Sequence, residues 1–215
     1  MACESRQPRR WHADLLPRLG EAAFRHLLPR HHSACSPRGG GLDGARHGRA
    51  VPTRAEAAAR RYLDATRRAD GAWWPLWFGN QSHPEQANPV YGTAKVVLAT
   101  HDARGTAWLL EAQSADGAFP SAPGLSAAIE ETAAAVEALA AVAASRGAAA
   151  EIAARARAAT ARGVAWLLDR TDGGRAFPAA PIGLYFAKLW YDEELYPLVS
   201  TLAALERAGR LGEDR

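Results

Sequence analysis

The chain contains 215 residues, of which 48% are hydrophobic and 23% are charged, and its formal net charge is +3. That length suffices for one globular domain with a sizeable core. The small charge excess forms no basic stripe interleaved with aromatic residues, which argues against a nucleic-acid partner. No apolar run approaches the roughly 18 to 20 residues of a bilayer-spanning helix, so we expect a cytoplasmic protein, or one peripheral to a membrane.

Residues 1–52 differ from the rest of the chain, because Arg, Pro, Gly and His dominate them. Such a composition buries too little apolar surface to offset the entropy of ordering, so we predict a disordered tail. Both cysteines, Cys3 and Cys35, lie there, which leaves no disulfide framework or cysteine-based metal site elsewhere. Cys35 could bind a metal with His31 and His32, but solvated histidines are the simpler interpretation. We therefore expect neither a metal nor a cofactor.

A helical domain is predicted over residues 53–210, followed by a short tail over 211–215. Its first helix begins at the capping box Thr53-Arg54-Ala55-Glu56, whose hydroxyl and carboxylate can satisfy free backbone amides. Ser126 is predicted to cap a later helix that ends near Ala144. The predicted helices span residues 53–69, 93–100, 103–113, 126–144, 151–168 and 194–208. Because sustained β alternation is absent, the predicted class is all-α, with six to seven helices.

Three of the predicted helices are followed by turns that share one register. A large ring follows eleven positions after a helical aromatic each time, in the pairs Tyr62 and Trp73, Trp108 and Phe119, and Trp166 and Phe177. Each turn places small residues where the chain reverses and then a ring that can pack back against the preceding helix. Repeated α-hairpins of this kind stack into solenoids or toroids.

These turns resemble the QW repeats of the squalene and oxidosqualene cyclases, in which a helix is followed by Gln, then Asp-Gly and an aromatic residue. The segment QSADGAF, residues 113–119, is the best copy. The aromatic run that starts at Trp73 and leads to Tyr91-Gly92-Thr93 is similar to a second segment of the family. The residues from Ala176 to Leu205 are similar to its C-terminal segment, and together these matches cover about residues 53 to 208.

The resemblance implies an α/α toroid whose cavity folds a polyprenyl or triterpenoid-like ligand and stabilises carbocations with aromatic faces. Rings stabilise a cation without offering a base or nucleophile that would quench it. The positions matched to cavity residues, and hence the candidate substrate-binding residues, are Trp77, Tyr91 and Tyr185. The positions matched to the structural repeat are Trp73, Gln113, Phe119 and Phe177.

Two departures from the family limit what this chain is expected to do. The Asp-x-Asp-Asp motif that supplies the protonating acid is absent from the sequence. A closed double ring of α-hairpins needs about a dozen helices, whereas six to seven are predicted. We therefore expect an incomplete toroid, the C-terminal half of a terpene cyclase of triterpenoid or hopanoid metabolism, inactive alone. Its expected partners are a complementary cyclase half, a second copy, or a membrane surface.

Other interpretations remain open at this stage. The chain could be a noncatalytic helical-repeat module that binds a lipid or a protein, or a sugar-active toroid, although no carboxylate pair stands beside the tryptophans. The candidate site aromatics could be ordinary core residues. Glu130-Glu131 and Asp192-Glu193-Glu194 are interpreted as favourable charges at helix amino ends.

Overall fold

The computed structural model describes residues 54–75, 78–184 and 189–213. The helices are α1 (Arg54–Thr66), α2 (Pro89–Thr100), α3 (Ala103–Ala112), α4 (Ile129–Ala144), α5 (Ala150–Arg170) and α6 (Leu195–Glu213). The strands are β1 (Phe78–Gly79), β2 (Ala180–Leu184) and β3 (Leu189–Glu193). The predicted tail over 1–52 and the capping residue Thr53 lie outside the described residues.

The prediction of an all-α fold is confirmed, because helices form the core. The chain divides into two compact units, one ending at Ala65 and the other starting at Thr66. Helix α1 belongs to the first unit, and the second contains the other five helices. Among the described residues, no helix combines the length and apolarity needed to cross a membrane.

Helix α4 is the centre of the second unit and packs against α2, α5 and α6. It is buried on all sides over most of its length, because its many alanines let neighbouring helices approach closely. The predicted apolar face of this helix, which includes Ile129, Ala133 and Val136, lies in the core as expected. Helices α2, α4 and α6 thus form one row, and α3 and α5 pack as hairpin partners of α2 and α4.

The predicted cap at Ser126 is wrong. Helix α4 begins at Ile129, and its N-cap residue, Ala128, makes no side-chain hydrogen bond. Helix α2 also begins earlier than predicted, because Asn88 caps it and Pro89 occupies the first turn. Proline is suited to that position, where its missing N–H would have no intrahelical partner.

The first two repeated turns have the same hydrogen bonds, position for position. Gly71 N donates to Arg68 O at 3.0 Å, and Gly117 N donates to Ser114 O at the same distance. Both glycines have positive φ, 101° and 97°, a conformation that other residues seldom adopt. Asp70 and Asp116 each accept from the amide two residues later, at 3.1 and 3.2 Å.

Each of these two turns ends in a buried ring that is held by a threonine and a glycine. Trp73 N donates to Thr93 Oγ1 at 3.0 Å, and Phe119 N donates to Thr132 Oγ1 at 3.1 Å. The two rings lie against Gly105 and Gly163, on the next helix of each hairpin, where an added Cβ would lie 2.8 Å from the Trp73 ring and 3.6 Å from the Phe119 ring. We call this arrangement of ring, threonine and glycine a ring seat.

Gln113, which was matched to a structural repeat position, connects the second turn to the next hairpin. Its Nε2 donates to Gly117 O at 3.0 Å and to Ala159 O at 2.9 Å, and its Oε1 accepts from Arg162. Arg67 stands at the same position of the first turn. Its guanidinium pairs with Asp102 at 2.6 Å and lies 4.8 Å from the centre of the Trp73 ring.

The third turn departs from this pattern. Arg175 stands where the other turns have glycine, and the positive φ values fall earlier, at Asp172, Gly173 and Gly174. Phe177 is only half-buried. The Oγ1 atom of Thr201, which is fully buried on the following helix, accepts from no donor in the described structure. The ring seat is therefore formed at Trp73 and Phe119, and it is not reproduced at Phe177.

A three-stranded antiparallel sheet, in the order β1-β2-β3, was not predicted. Ala180 pairs with Glu193 and Leu184 with Leu189, while Phe78 and Gly79 of β1 pair with Leu184 and Gly183. Because β1 has only two residues, its sequence carries no period-2 pattern. The sheet fixes the start of the loop that leads from Phe78 to helix α2.

We expect Thr132→Val to lower the free energy of unfolding by about 1 to 3 kcal/mol, because the buried Phe119 amide loses its acceptor. Thr201→Val is the matched control, since its buried hydroxyl has no partner in the described residues. Thr201→Val should leave the free energy of unfolding unchanged or raise it. Chemical denaturation of both variants measures the difference. Equal losses would show that the hydrogen bond at the ring seat contributes nothing specific.

Gly92→Ala should destabilise the protein by about 1 to 3 kcal/mol or more, because the added methyl group would overpack a rigid contact. Its Cβ would lie 2.4 Å from the Trp73 carbonyl oxygen and 2.8 Å from Pro75 Cδ. Gly209→Ala, at an exposed helical position with open space around it, is the control. It should stabilise by about 0.5 to 1 kcal/mol. Thermal unfolding distinguishes the two, and an unchanged melting temperature for Gly92→Ala would contradict the close approach.

Candidate functional site

The most unusual group in the described structure is the carboxyl of Glu131, in the first turn of α4. The residue is 1% exposed. Its Oε1 accepts from Asn80 Nδ2 at 2.7 Å and from Asn88 Nδ2 at 2.8 Å. Its Oε2 is buried and has no hydrogen-bond partner in the described residues. A buried carboxyl oxygen without a partner is costly, so its retention points to a functional site.

Both amide donors are oriented by their own local structure. Asn88 caps helix α2, and its Oδ1 accepts from Tyr91 N at 3.1 Å, which leaves its Nδ2 free to reach Glu131. Asn80 directly follows β1, and its Oδ1 accepts from Ser82 N at 2.9 Å. The cap and the strand therefore position the two amides before they meet the carboxyl.

Burial controls the protonation of this site. It raises the pKa of Glu131 to about 7, although the hydrogen bond from Asn80 acts in the opposite direction. The nearby negative charge of Glu130 raises the pKa of Glu131 further. Burial also raises the pKa of Glu130, whose Oε2 is likewise buried without a partner. Two adjacent carboxyls thus hold their protons more strongly than carboxyls in water do.

An aromatic cluster adjoins the carboxyls. The rings of Phe78 and Tyr91 have centroids 5.3 Å apart, and the ring of Tyr196 lies 6.5 Å from Phe78 in an edge-on arrangement. Burial is the main reason that the pKa of Tyr91 is raised to about 12, and the charges of Glu137 and Glu130 add to it. Tyr91 is connected to Glu131 through Asn88, which bonds to both. These contacts form one site of three rings and two carboxyls.

A row of charges crosses the helices beside this cluster. Glu137 of α4 lies 3.8 Å from Lys95 Nζ of α2 and 3.6 Å from Arg207 Nε of α6. The ammonium of Lys95 is 5.4 Å from the centre of the Tyr91 ring. Burial lowers the pKa of Lys95, and the charge of Glu137 opposes that effect. The row is therefore a largely buried ion network that joins three helices.

Of the predicted substrate-binding residues, Tyr91 lies in this site. Trp77 and Tyr185 lie outside the described residues. Glu130 and Glu131 lie in the first turn of α4, in agreement with their interpretation as charges at a helix amino end. The side chain of Glu131 is in addition buried and bonded to two distant asparagines, which was not predicted. The equivalent interpretation is confirmed for Glu193, whose Oε1 accepts from Leu195 N at 3.1 Å.

Sequence reasoning missed Asn80, Asn88 and the charged row. The available signal was the position of Glu131 and Glu137 within a helix that is otherwise almost entirely apolar. In the described part of the chain, no group of three or more His, Cys, Asp or Glu side chains is arranged to hold a metal ion.

A scan of the chain against models of known protein families finds no match. A search among curated proteins finds no significant relative. The function proposed below therefore rests on the geometry of the site and on the motifs of the sequence.

We expect the stability of the protein to fall between pH 4.5 and about 7, in part because Glu131 keeps its proton in the folded state and loses it in the unfolded state over this range. The folded-state pKa is the higher one, so this contribution is complete below the unfolded value and is lost as pH rises through about 7. Its size is roughly 3 kcal/mol, because the pKa rises from 4.5 to about 7.

Glu131→Gln should remove this part of the pH dependence, measured by denaturant unfolding at several pH values. Glu85→Gln is the control, because Glu85 is an exposed residue of the loop between β1 and α2. This substitution should leave the dependence of stability on pH as it is in the parent protein. If the Glu131→Gln curve runs parallel to that of the parent protein, the carboxyl is not titrating in this range.

Proposed function

We propose that this chain is a helical-repeat protein related to the terpene cyclases, and that its site binds a polyprenyl or triterpenoid-like ligand. The observation that carries the proposal is the aromatic cluster of Phe78, Tyr91 and Tyr196 beside a buried carboxyl. None of the three rings occupies a repeated turn position. Rings outside the repeated turns suit a ligand surface.

The repeated turns support the relationship to the cyclases. Gln113 links its own turn to the next hairpin, and a ring follows the Asp-Gly pair of both intact turns. Trp77 directly precedes Phe78, and Tyr185 directly follows Leu184, while Phe78 and Leu184 are paired in the sheet. Of the three residues matched to cyclase cavity positions, Tyr91 belongs to the cluster, and Trp77 and Tyr185 are sequence neighbours of the paired residues Phe78 and Leu184.

Ligand binding without autonomous cyclisation fits this site best. Carboxylates trap or deprotonate carbocations, and the site contains Glu130, Glu131 and Glu137. A cavity for carbocations favours neutral rings instead. A role as the C-terminal half of a cyclase is the second candidate, and it is favoured by Glu131, whose carboxyl stays largely protonated up to about neutral pH. In that role a complementary chain would supply the protonating acid.

Contact with a membrane surface or another protein is supported by helix α6. Leu195, Val199 and Leu202 recur at helical spacing on this helix, and all three are exposed. Such a stripe suits a module that takes up an apolar ligand from a membrane or a partner enzyme.

The protein should bind a fluorescent farnesyl probe, and Tyr196→Ala should weaken binding about tenfold, because it removes a ring of the cluster. Leu168→Ala is the matched control, since this side chain on α5 is 39% exposed, as Tyr196 is at 40%, and lies outside the cluster. Fluorescence titration measures both. Absence of binding by the parent protein would overturn the proposal.

Incubation of the purified protein with squalene or oxidosqualene should return only unreacted substrate. Cyclic product from homogeneous protein would instead favour the second candidate, with Glu131 as the first acid to substitute.

A further inference from the structure

We infer that Glu130 and Glu131 form a binding site for the primary ammonium head group of the ligand. This inference rests on the proposed function, because it specifies the polar end of a molecule whose apolar chain lies on the aromatic cluster. The arguments come from unbalanced charge, unused acceptors and the neighbouring rings.

The charges of the site leave two carboxyls unmatched. Lys95 and Arg207 both pair with Glu137, at 3.8 and 3.6 Å. Glu130 and Glu131 have no cationic partner among the described residues, since the donors to Glu131 are neutral amides. A ligand that complements this pair must therefore be positively charged or a strong hydrogen-bond donor.

The hydrogen bonds leave two acceptors unused. Asn80 and Asn88 both donate to Oε1 of Glu131, so its Oε2 remains open, as does Oε2 of Glu130. An ammonium group carries three donors and can satisfy more than one acceptor. Calcium and magnesium ions prefer about six oxygen ligands, and the described residues offer no cluster of three acidic or histidine ligands. An organic cation fits this donor set better than a metal ion.

The rings beside the carboxyls also favour a cation. Phe78 is two residues from Asn80, and Tyr91 is held by Asn88, so both asparagines that contact Glu131 also border the cluster. Ring faces attract ammonium groups, and the Lys95 ammonium already lies near the Tyr91 ring. Asn80 and Glu130, which border the buried carboxyl of Glu131, are themselves partly exposed.

Three probes with the same chain test the inference: farnesylamine, farnesol and farnesyl phosphate, titrated by calorimetry into the full chain at pH 7.5. We expect farnesylamine to bind at least about tenfold more tightly than farnesol, and farnesyl phosphate to bind most weakly. Glu131→Gln should remove the preference for the amine, so that farnesylamine and farnesol bind to this variant with similar affinity.

The possible results separate the two proposals. Equal binding of amine and alcohol overturns the head-group site and leaves the proposed function standing. If no probe binds, the proposed function fails, and propylamine then tests the head-group site without a chain. Propylamine should raise the melting temperature of the parent protein and not that of Glu131→Gln, and equal effects on both overturn the inference.

The pH dependence gives a further readout, because the ammonium needs an ionised carboxylate. Affinity for farnesylamine should fall as pH decreases from 8 to 6, by up to about tenfold per pH unit, while farnesol affinity stays constant. The other ionisable groups around the site are Glu130 and Glu137 of α4, Tyr91 and Lys95 of α2, Arg207 of α6, and His83 and Glu85 of the loop.

His83→Gln is the control for the loop, because it removes an ionisable ring and keeps the backbone. The His83 backbone amide donates to the carbonyl of Asn80 at 3.1 Å, and this bond does not depend on the side chain. This substitution should leave the pH dependence intact. Loss of the dependence in His83→Gln, or its persistence in Glu131→Gln, overturns the assignment to Glu131.

Discussion

The fold of the second unit depends on one requirement: the buried backbone amide at the end of each turn needs an acceptor from elsewhere in the chain. Thr93 and Thr132 provide it for Trp73 and Phe119. An unmet buried amide would cost about 1 to 3 kcal/mol, so each turn is stabilised by the helix that carries its threonine. A glycine on the following hairpin then accepts the ring, and this contact sets the distance between neighbouring hairpins.

The candidate site follows from the same anchoring. The loop between Trp73 and helix α2 is held at one end by Thr93 and at the other by the Asn88 cap. Its middle is fixed by the pairing of β1 with β2. Two asparagines of this loop can therefore converge on Glu131 with both amides oriented. The buried carboxyl is tolerated because its surroundings are already rigid, which is how proteins retain groups that weaken the fold and serve a site.

The features that could be predicted from the sequence are those that depend on residues close together in the chain. The turns that end at Trp73 and Phe119 have a local pattern of Asp, Gly and ring, so the sequence alone indicates where the chain reverses and where a ring follows. The Glu131 site was missed because its partners lie 43 and 51 residues away in the chain. The third ring was misjudged because Arg175 replaces the glycine whose positive φ the turn requires. The pairing of β1 with β2 was missed because it joins residues about 100 positions apart, such as Phe78 and Leu184.

The ion network around Glu137 has a consequence for how the unit unfolds. Each ring seat joins a hairpin only to the next one, and arrays built from nearest-neighbour contacts can lose their repeats one at a time. Glu137 instead contacts α2 and α6 at once, across the central helix. If α2 or α6 separated from α4, Glu137 would lose a cationic partner while its charge stayed buried, which is unfavourable. Fraying of one end helix therefore also affects the ion pair with the other. The three helices are thereby bound into one cooperative transition.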